Sequence, residues 1–213
     1  MDTVINLSRT HDKEGGLIKL LYASKEPIAI RSMKDNEQDF TTLHNWLTDA
    51  NVLSYIEGPG TKYTMDNIIA KYGPRTKEAS DVKACIIEFE GRHVGYLQFY
   101  KLTQDDIKRY DAGKDTLPYG IDIFIGEHQY WNQGIGTLAM KCMLKYLVVQ
   151  CQSGEIYVDP QIRNERAIKS YEKCGFQKVK ILKNHELFDG TYQDNQLMRL
   201  SSQDFMNSQN GSE

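Results

Sequence analysis

The 213-residue sequence predicts one mixed α/β domain built around a single sheet. Three observations support this prediction. Stretches of strand-like and helix-like periodicity alternate, a hairpin pattern stands near the middle, and a glycine-rich turn joins a strand to a long apolar helix. A chain of this length buries about 70% of the surface that its unfolded form exposes, so it can fold without disulfides or metals.

The character of the sequence changes at both ends. Residues 1–26 are irregular, with mixed charges and a pair of glycines, and we expect them to form an N-terminal extension. Residues 27–202 carry the patterns of regular structure and should form the domain. Residues 203–213 are expected to be a polar tail.

The domain should begin with one strand and two capped helices. A short β-rich run over 28–31 predicts the strand. Asp35 can cap a helix, because apolar residues follow it at spacings of three and four over 40–47. Thr64 can cap a second helix, which the Gly-Pro pair at 73–74 should end.

A hairpin and a polar stretch come next. Two β-rich runs, Val82–Phe89 and 93–100, flank the turn residues Glu90 and Gly91, and this pattern predicts two antiparallel strands. The stretch 103–116 is rich in acidic residues, so it should form an exposed loop.

The following block joins a buried strand to a helix. Residues 119–126 read YGIDIFIG and predict a buried strand, in which Asp122 places a carboxylate among apolar neighbours. Gly134 and Gly136 then allow a tight turn. A helix with an apolar face over 138–148 should follow.

The last part of the domain predicts further strands and one helix. Residues 155–158 form a short strand pattern, and Asn164 can cap a helix that Gly175 ends. Residues 176–182 and 195–200 predict the final strands. All of these elements fit around one sheet.

Charge and cysteine content exclude several functions. The 26 basic and 29 acidic residues give a net charge of −3, so the chain lacks the positive surface that binds nucleic acid. It has no apolar run of about 18 residues, so we expect no membrane partner. Its four cysteines form no C-x-x-C pair, which argues against a bound metal and favours the cytoplasm.

The turn at 134–136 has the form of an anion-binding site. A glycine-rich turn that opens a helix exposes backbone N–H groups at the positive end of the helix dipole. The glycines would allow a phosphate to approach closely. A plain strand-to-helix turn is the alternative, because the dinucleotide pattern G-x-G-x-x-G is incomplete and the P-loop pattern is absent.

A second motif gives this turn a context. Residues 164–176, NERAIKSYEKCGF, match the pattern N-x-x-A-x-x-x-Y-x-x-x-G-F at every fixed position. Together with the strand, turn and helix over 119–148, this motif resembles the GCN5-related N-acetyltransferase superfamily. The resemblance covers about residues 28–200. It implies a mixed, mostly antiparallel sheet flanked by helices, with central strands that splay apart at an acetyl-CoA site.

Five blocks carry a closer resemblance: WLTD (46–49), GYLQFY (95–100), YGIDIFIG (119–126), GIGT (134–137) and VDPQIRNERAIKSYEKCGF (158–176). They resemble the aminoglycoside 6'-N-acetyltransferases of bacterial resistance, which have an Asp in the central strand and Asp-Pro after the next one. The resemblance implies acetyl transfer from acetyl-CoA, as cosubstrate, to a small cationic aminoglycoside. We expect a monomer or a homodimer.

The implied cofactor site consists mainly of backbone groups. Trp131 stands where the family motif has Gln or Arg, so backbone amides must hold the pyrophosphate. Asn164 would contact the pantetheine arm. The implied cofactor-binding residues are Ile123, Phe124, Ile125, Gln133, Gly134, Ile135, Gly136, Thr137, Leu138 and Asn164.

The resemblance also implies a catalytic pair. Asp122 would take the proton of the substrate amine, and a hydrogen-bonded structural Asp is the alternative. Tyr171, two helical turns after Asn164, would protonate the departing CoA thiolate, and a core aromatic is the alternative.

The implied substrate-binding residues are Trp46, Asp49, Gln98, Asp122 and Asp159. Three of them have a structural alternative as well: Trp46 can belong to the core, Asp159 can end a strand, and Gln98 can be a cross-strand polar residue. Trp46, Asp49 and Tyr55 would form an acidic, aromatic wall.

Two other functions fit the same residues. The chain could acylate another amine, such as a siderophore precursor or a polyamine. A non-catalytic acyl-CoA sensor belongs to a different class, and it would need neither Asp122 nor Tyr171. The stretch 103–116 is a solvated loop in the simpler reading and a lid over a cationic substrate in the other.

Overall fold

A computed structural model describes residues 21–25, 27–113 and 116–210 of the chain. It contains an eight-stranded sheet in the order β1-β2-β3-β4-β5-β6-β8-β7, with helices packed on it. The strands are β1 (Leu21–Lys25), β2 (Ile28–Ser32), β3 (Val82–Phe89), β4 (Arg92–Lys101), β5 (Tyr119–Ile125), β6 (Glu155–Val158), β7 (Gln177–Phe188) and β8 (Thr191–Ser201). The α-helices are α1 (Glu37–Leu47), α2 (Ala50–Leu53), α3 (Met65–Tyr72), α4 (Gln104–Tyr110), α5 (Ile135–Val149), α6 (Glu165–Lys173) and α7 (Ser202–Asn210). The predicted mixed α/β class is confirmed.

The sheet is antiparallel except where β5 meets β6. These two strands run parallel and pair only at Tyr119 with Ile156 and at Gly120 with Tyr157. β5 continues to Ile125, so the β6 side of its last residues faces an opening in the sheet. The predicted splay of the central strands is therefore confirmed.

Helix α5 connects the two parallel strands across one face of the sheet. Its buried apolar residues recur at helical spacing and form the centre of the main core: Ala139, Met140, Met143, Leu144 and Leu147. The first turn of α5 lies against the end of β5, because a Cβ atom at Gly136 would stand 3.6 Å from Ile125 Cγ1. This packing places the start of α5 at the opening.

Helices α1 and α3 cover the other face of the sheet. Ala84 and Ile86 of β3 belong to their apolar cluster, whereas Cys85 and Ile87 belong to the core around α5. The two clusters alternate along β3 because successive side chains of a strand point to opposite faces of the sheet.

Helix α4 corrects the expectation of an exposed loop over 103–116. The Thr103 side chain accepts from the Asp106 backbone N–H, and the Asp106 side chain accepts from the Thr103 backbone N–H. This reciprocal capping starts a short helix, which buries Ile107 and Tyr110. The acidic residues therefore belong partly to a helix cap and not to an irregular segment.

Both chain ends differ from their expected form. Within the extension 1–26, Leu21–Lys25 forms an antiparallel strand on β2, while residues 1–20 and 26 lie outside the described ranges. Within the tail, α7 buries Phe205 in the main core, so residues 203–210 are not simply polar. The first helix is capped by Asn36, and not by Asp35, because Asn36 accepts from the Asp39 N–H.

No helix in the described ranges is both long enough and apolar enough to cross a membrane. The same ranges contain no group of three or more His, Cys, Asp or Glu side chains that could hold a metal ion.

Candidate active site

A cleft of about 840 Å³ lies where β5 and β6 separate. Its walls come from β4 and β5, from the first turns of α5 and α6, and from the β7–β8 hairpin. Twelve of the residues predicted from the sequence line it. They are Gln98, Asp122, Ile123, Phe124, Ile125, Gly134, Ile135, Gly136, Thr137, Asp159, Asn164 and Tyr171.

Asp122 lies in β5 and faces Gln98 of β4. Its Oδ2 atom accepts a hydrogen bond of 2.6 Å from Gln98 Nε2. Burial, and next the negative charge of Asp159, raise the pKa of Asp122 to about 7, although the bond from Gln98 acts in the opposite direction. A carboxyl group with a pKa near neutrality is suited to accept a proton in catalysis.

Gln98 is itself held by two donors. Its Oε1 atom accepts from Arg75 Nη1 at 2.5 Å and from the Tyr96 hydroxyl at 2.8 Å. These bonds turn the amide nitrogen toward Asp122. Gln98 lines the cleft, as expected, and its contact with substrate stays a prediction. Its bond to the carboxylate also suits it to position Asp122.

Asp159 follows β6 and forms an acidic end of the cleft together with Glu186. Its Oδ2 atom accepts from the Tyr110 hydroxyl at 3.1 Å and lies 2.8 Å from His185 Nε2. Asp159 and Glu186 both raise the pKa of Asp122, so the three carboxyl groups interact electrostatically. This end of the cleft suits a cationic ligand.

The start of α5 presents backbone donors to the cleft. Gly134 has a φ of 80°, a left-handed conformation that favours glycine. The N–H group of Leu138 makes the first hydrogen bond of the helix, with Gly134 O at 2.9 Å. Ile135, Gly136 and Thr137 precede that bond and line the cleft, so their N–H groups can hold an anion. We call these three backbone N–H groups the amide cradle.

Two residues expected in this amide cradle lie elsewhere. The N–H of Leu138 is bonded inside α5, and its side chain packs against the main core. The side chain of Gln133 is bonded to Gln129 O, and Gln133 is not among the residues that line the cleft. The cradle is therefore shorter than the expected segment 133–138.

Trp131 uses its indole N–H inside the protein, where it donates to Ile125 O at 2.7 Å. Its ring helps to hold a cation. The guanidinium carbon of Arg166 lies 4.6 Å from the centroid of the Trp131 ring and 4.2 Å from that of Tyr55. Arg166 and both rings line the cleft that the amides of 135–137 also line.

Helix α6 contributes the remaining pair of predicted residues. Asn164 Oδ1 accepts from the Ala167 N–H at 3.2 Å and so caps the helix. Tyr171, two turns later, is 8% exposed and lines the cleft. Burial, and then the charges of Asp122 and Asp159, raise the pKa of the Tyr171 hydroxyl well above its usual value. The phenol therefore keeps its proton at neutral pH.

The family model for the acetyltransferase (GNAT) domain matches residues 35–183. This chain belongs to the GNAT family. It is therefore an acetyltransferase, and the cleft described above is its candidate active site.

Curated relatives of this acetyltransferase include enzymes named for different amines. The chain is 25% identical to the aminoglycoside N(6')-acetyltransferase type 1 of Klebsiella pneumoniae over 155 residues, which cover 73% of this chain and 76% of that protein. It is 26% identical to the spermine/spermidine N(1)-acetyltransferase of Bacillus subtilis over 143 residues, which cover 67% of this chain and 82% of that protein.

Solved structures show the same fold as this acetyltransferase. The aminoglycoside acetyltransferase AAC(6')-Ib, in complex with coenzyme A, superimposes with a TM-score of 0.67 at 22% identity, over 85% of this chain and 99% of that one. The spermidine N-acetyltransferase of Vibrio cholerae, in complex with CoA and spermine, gives a TM-score of 0.69 at 18% identity, over 86% of this chain and 100% of that one.

Two residues expected to bind substrate lie outside the acetyltransferase cleft. Trp46 is 3% exposed, and its ring packs on Gly126, where a Cβ atom would stand 2.2 Å from it. Its indole N–H donates to Glu127 Oε1 at 2.9 Å. Asp49 caps α2 and lies 3.3 Å from His128 Nε2. Both expectations are corrected, since Trp46 belongs to the core and Asp49 to a helix cap.

The acetyltransferase cleft also contains polar residues that the sequence did not indicate: Arg75, Tyr110, Gln161, Arg166, His185, Glu186 and Asn195. They come from elements that are far apart in the sequence, so no spacing pattern connects them.

Proposed function

We propose that this acetyltransferase transfers the acetyl group of acetyl-CoA to the 6'-amino group of aminoglycoside antibiotics and so confers resistance. The observation that carries the proposal is the position of Asp122. It has a pKa raised to about 7, and it lies in the cleft that holds both a backbone anion cradle and an acidic end. The cradle suits the phosphates of acetyl-CoA, and the acidic end suits a polycationic sugar.

Acetyl-CoA is held mainly by backbone groups and by cations of α6. The N–H groups of 135–137 receive the pyrophosphate at the N-terminus of α5. Arg166, Lys169 and Lys173 line the cleft at spacings of three and four, so they lie on one face of α6. Arg166 supplies the positive charge that Trp131 does not.

The thioester lies along the open side of β5. Because the pairing of β5 with β6 ends at Gly120, backbone groups of Ile123–Ile125 that are not paired with β4 face the cleft. An N–H group there polarises the thioester carbonyl as negative charge develops on its oxygen.

The chemistry is a direct transfer between two bound substrates. Asp122 accepts a proton from the substrate ammonium, which frees the nitrogen lone pair to attack the thioester carbon. A C–N bond forms, the C–S bond breaks, and Tyr171 gives a proton to the departing thiolate. The attacking nitrogen then releases its second proton, which restores the phenol of Tyr171. The products are an acetylated amine and CoA with a free thiol. Binding of both substrates in one cleft supplies much of the rate through proximity.

Polyamine acetylation is the second candidate. The acidic end of the cleft, formed by Asp159 and Glu186, suits spermidine as well as a sugar, and relatives named for spermidine match at similar identity. We favour aminoglycosides because the Asp in the central strand, Asp122, and the Asp-Pro pair at 159–160 match the pattern of the aminoglycoside 6'-N-acetyltransferases.

Thiol release from acetyl-CoA tests the assignment. Kanamycin, spermidine and lysine are added in turn to the wild-type protein. Release that depends on kanamycin, with acetylation of the 6'-nitrogen in the isolated product, supports the proposal. Release with spermidine alone would assign the second candidate. No release with any amine would favour a non-catalytic acyl-CoA sensor. A resistance profile in a sensitive host, with amikacin compared with gentamicin, gives the antibiotic range.

We place the reaction in the cytoplasm, as a monomer or a homodimer. The four cysteines are free thiols, which suits a reducing compartment. Since β1 belongs to the sheet and α7 packs on the core, we propose that the domain extends beyond 27–202 at both ends, to at least 21–210.

A further inference from the structure

The Gln98 side chain can present either its nitrogen or its oxygen to Asp122, because a half-turn of the amide exchanges the two atoms. Tyr96 does not decide between them, since a hydroxyl group both donates and accepts hydrogen bonds. Arg75 does decide, since a guanidinium only donates. Its Nη1 atom lies 2.5 Å from the amide atom that faces it, which must therefore be the oxygen. The nitrogen is left to donate to Asp122 at 2.6 Å.

The guanidinium of Arg75 is itself held in place by packed aromatic rings. Arg75 belongs to the short 3₁₀ helix Gly73–Thr76, which follows α3. Its guanidinium carbon lies 4.9 Å from the centroid of the Tyr72 ring, and that ring packs edge-on against Tyr96 with centroids 5.5 Å apart. Both tyrosines are buried in the apolar cluster under α1 and α3. The core therefore fixes the donor that orients Gln98.

The charge of Arg75 has no carboxylate of its own. Within the part of the chain that the structure describes, Arg75 forms no ion pair, and its hydrogen bond goes to the neutral amide of Gln98. Lys77, two residues later, is paired with Asp35 instead. The positive charge of Arg75 lies behind the amide that bonds to Asp122, and it lowers the pKa of that carboxyl group.

The other groups that act on Asp122 do not replace this charge. Asp159, which lies beside His185, and Glu186 of β7 both raise the pKa of Asp122. Four phenols from α3, β4, α4 and α6 also interact with it, and burial raises the pKa of each: Tyr72, Tyr100, Tyr110 and Tyr171. These phenols stay neutral near pH 7, so the charge of Arg75 opposes the two neighbouring carboxylates.

We propose that Arg75 is a positioning residue for the base, which keeps the nitrogen of the Gln98 amide toward Asp122 throughout the reaction cycle and favours the ionised carboxylate. This inference rests on the proposed function, because that function makes Asp122 the base. An ionised carboxylate only accepts, so it selects the amide nitrogen by itself. Once it has taken the proton it can also donate, and the bond from Arg75 then prevents the amide from turning. The donor stays in place for the return of the proton to solvent.

The test compares the pH profiles of kcat/KM for the wild type, Arg75→Met and Arg75→Lys, with kanamycin and spermidine as the amines. Met keeps the length of the side chain without its charge or donors, so the rising limb should move to higher pH by about half a unit or more. Lys carries a charge and only donates, so it should move the limb back toward the wild-type position. Lys77→Met is the matched control, because it removes an exposed cation next to the same 3₁₀ helix and should leave the profile unchanged.

A double-mutant cycle tests whether Arg75 acts through Gln98. The shift that Arg75→Met causes should be smaller in a Gln98→Leu background than in the wild type, because the amide that connects Arg75 to the carboxylate is then missing. Full additivity of the two shifts contradicts positioning through Gln98. A merely structural role would lower the Tm and kcat without moving the limb.

Thermal unfolding first shows whether Arg75→Met is folded. If it is not, Arg75→Gln gives the decision, because it is uncharged and can bond to either atom of the Gln98 amide. An unmoved limb in the folded variant, or an equal shift in Lys77→Met, overturns the inference.

NMR titration of the Asp122 carboxyl carbon in the complex with CoA separates this inference from the proposed function, because it measures the same shift without turnover. A titration that moves in Arg75→Met, with a wild type that acetylates neither amine, supports the role of Arg75 toward Asp122 and contradicts the proposed function. A wild type that acetylates kanamycin, with an unmoved titration in Arg75→Met, contradicts the inference alone. Turnover that is retained in Asp122→Asn contradicts both.

Discussion

Gln98 and Asp122 face each other across the β4–β5 ladder, and the Gln98 amide donates to the Asp122 carboxylate at 2.6 Å. Arg75 and Tyr96 hold the other end of the same amide. The bond lowers the pKa of Asp122, while burial and the charge of Asp159 raise it. These opposing effects give the Asp122 carboxyl group a pKa of about 7, so it can take a proton from an amine.

Removal of the Gln98 amide should shift this balance. In Gln98→Leu the bond that lowers the Asp122 pKa is lost, so the rising limb of the pH profile of kcat/KM should move to higher pH. The KM for acetyl-CoA should not change. Tyr96→Phe removes one of the two donors to Gln98 but leaves Arg75, so it should give a smaller shift in the same direction. An unchanged profile in Gln98→Leu would show that Gln98 does not position the base.

The pH dependence of activity should follow the protonation of Asp122. The carboxylate is the active form of the base, so kcat/KM should rise with pH through about 7, the value to which the Asp122 pKa is raised. Steady-state rates from pH 5.5 to 8.5 give the profile. A flat profile over this range would contradict the assignment.

The contribution of Asp122 to the stability of the folded protein should fall as pH rises, whereas the activity should increase. The folded-state pKa of Asp122, about 7, lies above its ordinary value of 3.8, so the folded state binds more protons between these two values. The contribution of Asp122 to stability therefore falls as pH rises across this window. Thermal unfolding of the wild type and Asp122→Asn should show a Tm difference that moves in favour of the variant from pH 4 to pH 8. A constant difference would mean that the pKa is not raised.

Tyr171→Phe should lower kcat less than a change at Asp122 does, by about tenfold, because water can protonate the thiolate in place of the phenol. Phe retains the ring that packs against Phe176, so the Tm should stay close to that of the wild type. Single-turnover rates with acetyl-CoA give the measurement. An unchanged rate would assign Tyr171 to the core alone.

Arg166→Ala should raise the KM for acetyl-CoA about tenfold with little change in the KM for the amine. The variant removes the cation that Tyr55 and Trp131 hold beside the amide cradle. Arg166→Lys should restore only part of the affinity, because an ammonium does not stack on the two rings as a guanidinium does. Lys141→Ala, on an exposed position of α5, is the control. Equal effects in Arg166→Ala and Lys141→Ala would contradict a specific phosphate contact.

Local patterns in the sequence predicted the fold. The β-rich run over Val82–Phe89, the helix spacing over 138–148 and the motif at 164–176 correspond to β3, α5 and α6. The helix at 104–110 was missed because its acidic residues indicated solvent exposure, whereas Thr103 and Asp106 form a capping box. Strand β1 was missed because residues 1–26 show no regular pattern in the sequence, whereas Leu21–Lys25 pairs with β2.

Only those residues of the candidate site that stand at motif positions could be predicted from the sequence. Asp122, Tyr171 and the turn at 134–136 stand at motif positions, and the structure places them in one cleft. Glu186 and Asn195 have no motif, because tertiary contacts alone bring them to Asp159. Trp46 was misplaced for a related reason, since an aromatic residue near the end of a helix fits a binding wall and a core equally well.

The most direct test of the central claim is the kanamycin-dependent release of thiol from acetyl-CoA by the wild type and by Asp122→Asn. We expect the wild type to acetylate the 6'-nitrogen and Asp122→Asn to show a kcat at least about 100-fold lower. The KM for acetyl-CoA and the folded structure should be retained. Turnover of Asp122→Asn close to that of the wild type would contradict the account of Asp122 as the base.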